Sequence, residues 1–231
     1  MSGQLAGSAS GYFGSMVEAY DSLIRRAVPR YDEMIGTLIE YMPRSAADIL
    51  ELGSGTGNLS LTIARRFPAA SLTLVDGSAE MLAVARSRLE GIPRRRETAF
   101  IESRFEDLVP PVDSFDAVVS SISLHHIRGK GIVYRRMRAA LRAGGTFCFA
   151  DQLRGHPESN HAVNWERWLE YCRAPGNCSA DEIQSLLDHA AAHDHYVTLS
   201  DHVEMLREAG FKSIDCVWRN GMWGILTATT A

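Results

Sequence analysis

No stretch of this chain approaches the roughly 18 to 20 consecutive apolar residues needed to cross a bilayer, so no membrane-spanning helix is expected. A tight Cys-x-x-Cys pair is also missing. The four cysteines, at positions 148, 172, 178 and 216, have the spacing of neither a zinc site nor a redox motif and read as reduced thiols of a cytoplasmic protein. Charge of one sign is not in excess: with a formal net charge of −4, the chain has no global field to attract phosphate backbones, and a nucleic-acid partner would need a local basic patch. Met1 to Gly14 is rich in Gly, Ser and Ala and lacks the charged-then-apolar order of a signal peptide, which makes residues 1–18 an expected flexible leader. Internal repeats and low-complexity tracts are absent.

What is present suits one globular domain. The chain has 231 residues, 45% of them hydrophobic and 23% charged, enough for one large core and too few for two comfortable ones, so 19–231 is read as a single domain. Between Tyr20 and Met42 the apolar residues recur at helical spacing on both sides of Pro29, which predicts two helices joined there. Beyond them, short apolar runs alternate with helical patterns. Strands are expected at 47–52, 71–75, 97–101, 115–120 and 146–150, with helices at 59–67, 79–89 and 132–141 between them. That alternation is the mark of a parallel sheet with crossover helices. The order breaks after Asp151. Residues 152–200 are polar and rich in His, Trp and Asn, too long for structureless loop, and are read as a helical cap insertion with helices at 162–171 and 180–192. A helix at 199–209, ended by Gly210, and two strands at 213–218 and 223–227 complete an α/β, Rossmann-like sheet of seven strands, mostly parallel, with helices on both faces.

The sharpest local signal is Glu51-Leu52-Gly53-Ser54-Gly55-Thr56-Gly57, placed where a buried strand turns into a helix. Glycines there permit backbone angles closed to other residues and let a ligand approach the main chain. The Lys-Ser/Thr that a P-loop needs for phosphates and magnesium is missing. Asp76 ends the second strand about 20 residues on, where a carboxylate accepts hydrogen bonds from both hydroxyls of a ribose. The pair fits a nicotinamide dinucleotide or the adenosyl group of S-adenosylmethionine (SAM). SAM is favoured because it carries no pyrophosphate, so the loop needs no third glycine for helix packing, only room for a methionyl chain beside Glu51.

With these elements in place, the chain from about Tyr20 to the last strand resembles the class I SAM-dependent methyltransferases. The resemblance rests on the glycine loop, VDGSAEML around Asp76, FEDL at 105–108, FDAVVSS, LHHI, the RAGG turn at 142–145 and the AGF that precedes the last two strands. Within that superfamily it is most similar to the subgroup that makes carboxy-SAM for tRNA wobble-uridine modification, and it shares features with quinone-ring methyltransferases. Val28-Pro29-Arg30-Tyr31 matches a Val-Pro-x-Tyr motif which in that subgroup supplies a tyrosine to the cofactor. The resemblance implies SAM as cofactor, S-adenosylhomocysteine (SAH) as product, and a cofactor set of Tyr20, Tyr31, Glu51, Gly53, Ser54, Gly55, Gly57, Asp76, Gly77, Met81, Arg104, Phe105, Ser120 and Ser121. Arg104 stands where many relatives have an Asp that takes the adenine amino group. Met205 stands where the carboxy-SAM enzyme has an arginine that reads the extra carboxylate, which implies ordinary SAM here.

Methyl transfer is an in-line displacement in which positioning does much of the work. His125 and His126, just after the fourth strand on the edge where open sheets hold ligands, are the candidates for a catalytic base. Asp151, Trp165, Trp168, Tyr196, Arg219 and Trp223 are the candidate acceptor contacts, the aromatics suiting a planar or cationic molecule. The insertion carries His156, His161, His189, His193 and His195 with Asp151, Asp188 and Asp194. These lack a fixed three-ligand spacing, only His189 and His193 sharing a helix face, so no metal site is expected and that face is read as solvated. A small-molecule acceptor is the leading expectation. A tRNA acceptor, argued by Arg94-Arg95-Arg96 and Arg135-Arg136-Met137-Arg138, a catalytically silent SAM-binding protein and a dinucleotide oxidoreductase are the rivals. The N-terminal helices resemble those that pair in related enzymes, which leaves a homodimer open.

Overall fold

The computed structural model describes residues 17–93 and 96–231, with side chains from residue 21 onward. Helices α1 (Val17–Ala27) and α2 (Tyr31–Glu40) part at Pro29, as expected. Val17 and Glu18 already belong to α1, so the expected leader ends before residue 18, and its residues 1–16 lie outside the described residues. The alternating segment forms β1 (Asp48–Leu52), α3 (Asn58–Arg66), β2 (Ser71–Asp76), α4 (Ala79–Glu90), β3 (Thr98–Glu102) and β4 (Phe115–Ser121). A short 3-10 turn (Leu124–His126), α5 (Lys130–Ala140) and β5 (Leu141–Gln152) follow. After β5 come α6 (Glu158–Arg173), α7 (Ala180–His193), α8 (Leu199–Glu208), β6 (Ile214–Asn220) and β7 (Trp223–Thr229).

The strands form one seven-stranded sheet in the order β3-β2-β1-β4-β5-β7-β6, parallel from β3 to β5 and antiparallel on both sides of β7. This is the expected Rossmann-like arrangement. The expected RAGG turn is instead a bulge inside β5: its register against β4 jumps between Leu141 and Thr146, and Gly144 takes a left-handed φ of 75° that lets the backbone fold out without leaving the strand.

Side chains alternate across this sheet, as the period of two demands. Ile49, Ala117, Val119, Cys148 and Ala150 face α1, α2, α3 and α6, and Leu50, Leu52, Val118, Phe147 and Phe149 face α5 and α8. Small residues on the first face let helices sit close, and Cys148 Sγ lies 3.6 Å from the Leu38 carbonyl of α2. Of the helices after β5, α6 and α7 lie over α1, where Trp168 Nε1 donates to the Ala27 carbonyl at 2.9 Å. Arg26 grips Glu182 at the start of α7 with two bonds of 2.9 and 2.6 Å. No helix among the described residues is long and apolar enough to cross a membrane.

Candidate active site

The carboxyl edge of the central strands carries two adjoining depressions. The first is a cradle around the glycine loop, lined by Tyr31, Glu51, Gly53, Ser54, Gly55, Thr56, Asn58 and Ser121 among others. Gly53, Gly55 and Gly57 have φ of 67°, 53° and 87°, angles an L side chain rarely adopts. The loop is stapled to β2: Gly53 and Ser54 donate to the Val75 carbonyl at 2.8 and 3.0 Å, and Gly55 donates to Asp76 Oδ2 at 2.8 Å. Ser78 donates its backbone N–H to the other Asp76 oxygen at 2.9 Å. Each Asp76 oxygen keeps a lone pair for a ligand hydroxyl. Burial raises the Asp76 pKa against those N–H groups. A Cβ on Gly53 would lie 2.4 Å from Ser123 and 3.1 Å from the ring of Phe105, so only hydrogen fits between loop and ring. Glu51 is buried beneath the loop with Ser60 Oγ donating to it at 2.6 Å; burial pushes its pKa up to about 8, and Asp76 adds to the rise.

The second depression is a narrow apolar cavity between α1, α7 and the sheet, walled by Leu23, Ile24, Ala27, Val28, Ile122, Leu186, Trp168 and Trp223. Its polar end holds Gln152, His125, His189, Asp194 and Tyr196. Behind it lies Asp151. This carboxylate, 1% exposed, accepts from the His125 backbone N–H at 3.0 Å, from His125 Nδ1 at 2.5 Å and from the Gln152 N–H at 2.7 Å. Burial works against a charge on either ring or carboxylate, but their mutual attraction prevails: His125 is raised and Asp151 lowered. Nε2 of His125 is therefore a strengthened base with a fixed orientation. Burial and the neighbouring His125 depress His126 to about 4; burial and His126 depress His189 to about 3. Burial favours a neutral Asp194, yet the imidazoles and the Tyr196 hydroxyl outweigh it and hold the group at about 2.

The structure brings Tyr31, Glu51, Gly53, Ser54, Gly55 and Ser121 together in the cradle and sets Asp76 and Phe105 against it, the Gly77 backbone bonding to Asp76. Other expected contacts stand elsewhere. The Arg104 side chain is 73% exposed and turned toward Glu106, because a solvated guanidinium finds its best partner at the surface. Ser120 lies behind the loop, its hydroxyl donating to the Leu52 carbonyl at 2.9 Å, so it supports the bend from beneath. Met81 is a buried core residue of α4. Gly57, expected to have no part in helix packing, does have one: a Cβ there would stand 3.1 Å from Ala85 of α4. Tyr20's side chain lies outside the described residues.

On the acceptor side, Trp168, Tyr196 and Trp223 line the cavity, whereas Trp165 packs outside it against Trp168 and Tyr196. Asp151 holds His125 and does not reach the cavity. Arg219 faces a different groove, with Arg154 and Arg207. His189, expected on a solvated face, is buried because α7 turns it toward His126 and Asp194. Sequence reasoning missed Asp21, whose carboxylate accepts from the Thr56 hydroxyl and from Asn58 at 2.9 Å, docking α1 on the loop. No spacing rule could have found it.

A profile described as a methyltransferase domain matches residues 49–145. Carboxy-S-adenosyl-L-methionine synthase of Chromohalobacter salexigens is 30% identical over 86% of this chain and 75% of its own. Among solved structures, a SAM-dependent methyltransferase of Thermotoga maritima shares the fold with a TM-score of 0.66 at 14% identity, covering 96% of this chain and 99% of that one. A phosphoethanolamine N-methyltransferase of Haemonchus contortus, solved with SAH, gives 0.63 at 17% identity over 86% of this chain and 53% of that one. The cofactor of the family is SAM. The cradle is compatible with it, offering a side-chain-free bend, a buried acid and a carboxylate with spare lone pairs at the end of β2. Motifs, sheet order and relatives agree: the chain belongs to the class I SAM-dependent methyltransferases, in the branch related to carboxy-SAM synthase.

Proposed function

We propose that the chain transfers the methyl group of SAM, by in-line displacement at the sulfonium carbon, to a small molecule held in the cavity beside His125. The observation that carries this reading is a shared wall: Ile24 and Ile122 line both the cradle and the cavity. A sulfonium seated over Gly53–Gly55 and a nucleophile in the cavity would meet beside those two side chains, which border both spaces. Displacement of this kind asks chiefly for alignment. Apolar walls also keep competing water away. Glu51, Ser54 and the glycines serve the methionyl end, Asp76 and Gly77 the ribose, Phe105 the adenine edge, and Tyr31 closes the cradle. Nε2 of His125, fixed by Asp151, is the Lewis base offered to the acceptor's polar end. It acts on the acceptor's proton directly or on a cation that carries the acceptor.

The likeness to carboxy-SAM synthase favours a second reading, formation of carboxy-SAM. Against it, Met205 packs with the core face of α8, and no Lys or Arg among the described residues lines cradle or cavity to pair with an added carboxylate. A tRNA acceptor is disfavoured as well. Arg136 and Arg138 of the basic run donate to backbone carbonyls of Leu108 and Gly210, so these guanidiniums are already engaged with the protein. Calorimetry of the folded chain with SAH tests the cofactor half, saturable heat at one site being the expected result. No heat with either SAM or SAH ends the reading, and the mass of any co-purifying cofactor separates SAM from carboxy-SAM.

A further inference from the structure

Three imidazoles converge on a single oxygen at the polar end of the cavity. Nε2 of His125, Nδ1 of His126 and Nε2 of His189 lie 3.8, 3.0 and 3.7 Å from Oδ1 of Asp194. Two of these separations are too long for hydrogen bonds, which run to about 3.2 Å. Those of His125 and His126, 3.8 and 3.0 Å, instead bracket the spacing of atoms that share a metal. Ligands each about 2.05 Å from an ion at a tetrahedral angle stand about 3.3 Å apart. One ligand atom from each of His125, His126 and Asp194 falls within 4.8 Å of the others.

Each of the two ligands that face the cavity has a partner that aims it. His125 gives its Nδ1 proton to Asp151 at 2.5 Å, which turns Nε2 toward Asp194, the carboxylate–histidine arrangement found behind metal-binding imidazoles. Tyr196 donates its hydroxyl to Oδ2 of Asp194 and so leaves Oδ1 toward the rings. The two chain segments are also fastened together. His195 N–H donates to the His125 carbonyl at 2.7 Å, and Lys130 Nζ bridges the carbonyls of Ile127 and His195 at 2.6 Å each. The geometry is thus held by groups outside the triad, and Lys130 spends its protons on carbonyls.

We infer that His125, His126 and Asp194 bind one divalent transition-metal ion, with open positions toward the cavity where the acceptor coordinates through an anionic oxygen. Two imidazoles and one carboxylate suit zinc, iron(II), cobalt(II) or manganese(II). The acceptor class follows from the walls. Among the described residues no Lys or Arg lines the cavity, so an oxygen anion on an otherwise apolar molecule has the ion as its only cationic partner there. Coordination lowers the pKa of the bound group and fixes its direction. His189 is the next imidazole beside the triad and faces the same cavity.

The role given to the ion rests on the methyl-transfer reading; the ion site does not. The test is calorimetric titration of chelator-treated full-length chain with zinc, then with cobalt(II) while visible ligand-field absorption is followed. Wild type is expected to take up about one ion per chain and to show tetrahedral or five-coordinate cobalt bands. Asp194→Asn and His126→Gln are expected to weaken zinc at least about tenfold while SAH binding by the same method is retained. Retained SAH binding shows that the variants are folded and keeps a failed ion site distinct from a failed cofactor site. If the variants do not fold, the cobalt spectrum of the wild type decides. Folded wild type that binds SAH yet takes up neither zinc nor cobalt overturns the inference, as does unchanged zinc affinity in Asp194→Asn.

Discussion

The cradle and the polar end of the cavity share a wall, yet they are made of different material. The cradle is main chain, three glycines bent into left-handed angles and bonded to the end of β2. The polar end is side chain, a group of rings and carboxylates from the turn after β4, the end of β5 and the α7–α8 segment. Shape of the first kind is ruined by adding an atom. Order of the second kind is ruined by removing a charge. The two halves should therefore fail under opposite kinds of substitution, and each failure should leave the other half standing.

The largest effect is expected at Gly53. An added methyl would lie 2.4 Å from Ser123 at a φ of 67°, so Gly53→Ala should lower SAH affinity at least about a hundredfold by calorimetry. Gly144→Ala, at a similar φ but with nothing within 4 Å, should cost only about 1 kcal/mol and leave SAH binding intact. Equal losses would show that strain, and not the fit of loop to ring, governs the cradle.

Glu51 is a place where the cradle behaves like the other half. Its folded value of about 8 lies above the ordinary 4.5, so the folded chain keeps a proton that the unfolded chain gives up. That contribution is complete below pH 4.5 and disappears as pH rises through about 8. Urea unfolding at pH 5 and at pH 8.5 should show wild type losing a few kcal/mol relative to Glu51→Gln. A constant difference across that range would remove the acid from the account.

Asp151→Asn should leave SAH affinity unchanged and reduce kcat about 10- to 100-fold, since it unfixes the His125 ring without touching the cradle. A change confined to KM would instead place Asp151 in acceptor binding. The smallest effect is expected at the strap between α1 and α7. Arg26→Ala should cost about 1 kcal/mol, seen as a Tm lower by about 2–4 °C. Its bond to Arg26 holds Glu182 down to about 2, so the strap's contribution is present above pH 4.5 and lost as pH falls through about 2. Wild type and variant should converge there.

The contrast between the halves also explains what could be read from the sequence. Gly53 to Gly57 and Asp76 are neighbours along two successive strands, and a strand followed by a helix has few ways to bend, so motif and geometry coincide. The sheet was legible for the same reason, its buried strands being short uniform apolar runs. Asp194 and His189 are about 65 to 70 positions from His125, and their meeting depends on how α7 lies over α1, which no local spacing encodes. Ser120 misled because its hydroxyl polarity suggested a ligand, while alternation along β4 turned it beneath the loop. Arg219 misled because its position at the end of β6 is near the sheet edge but on the groove of α8.

Helix α1 touches both halves: Asp21 bonds the glycine loop through Thr56 and Asn58, and one turn later Leu23, Ile24 and Ala27 form the roof of the cavity. Loop and cavity thus share one cover. A substitution that unseats this one helix should therefore weaken the glycine loop and the cavity together.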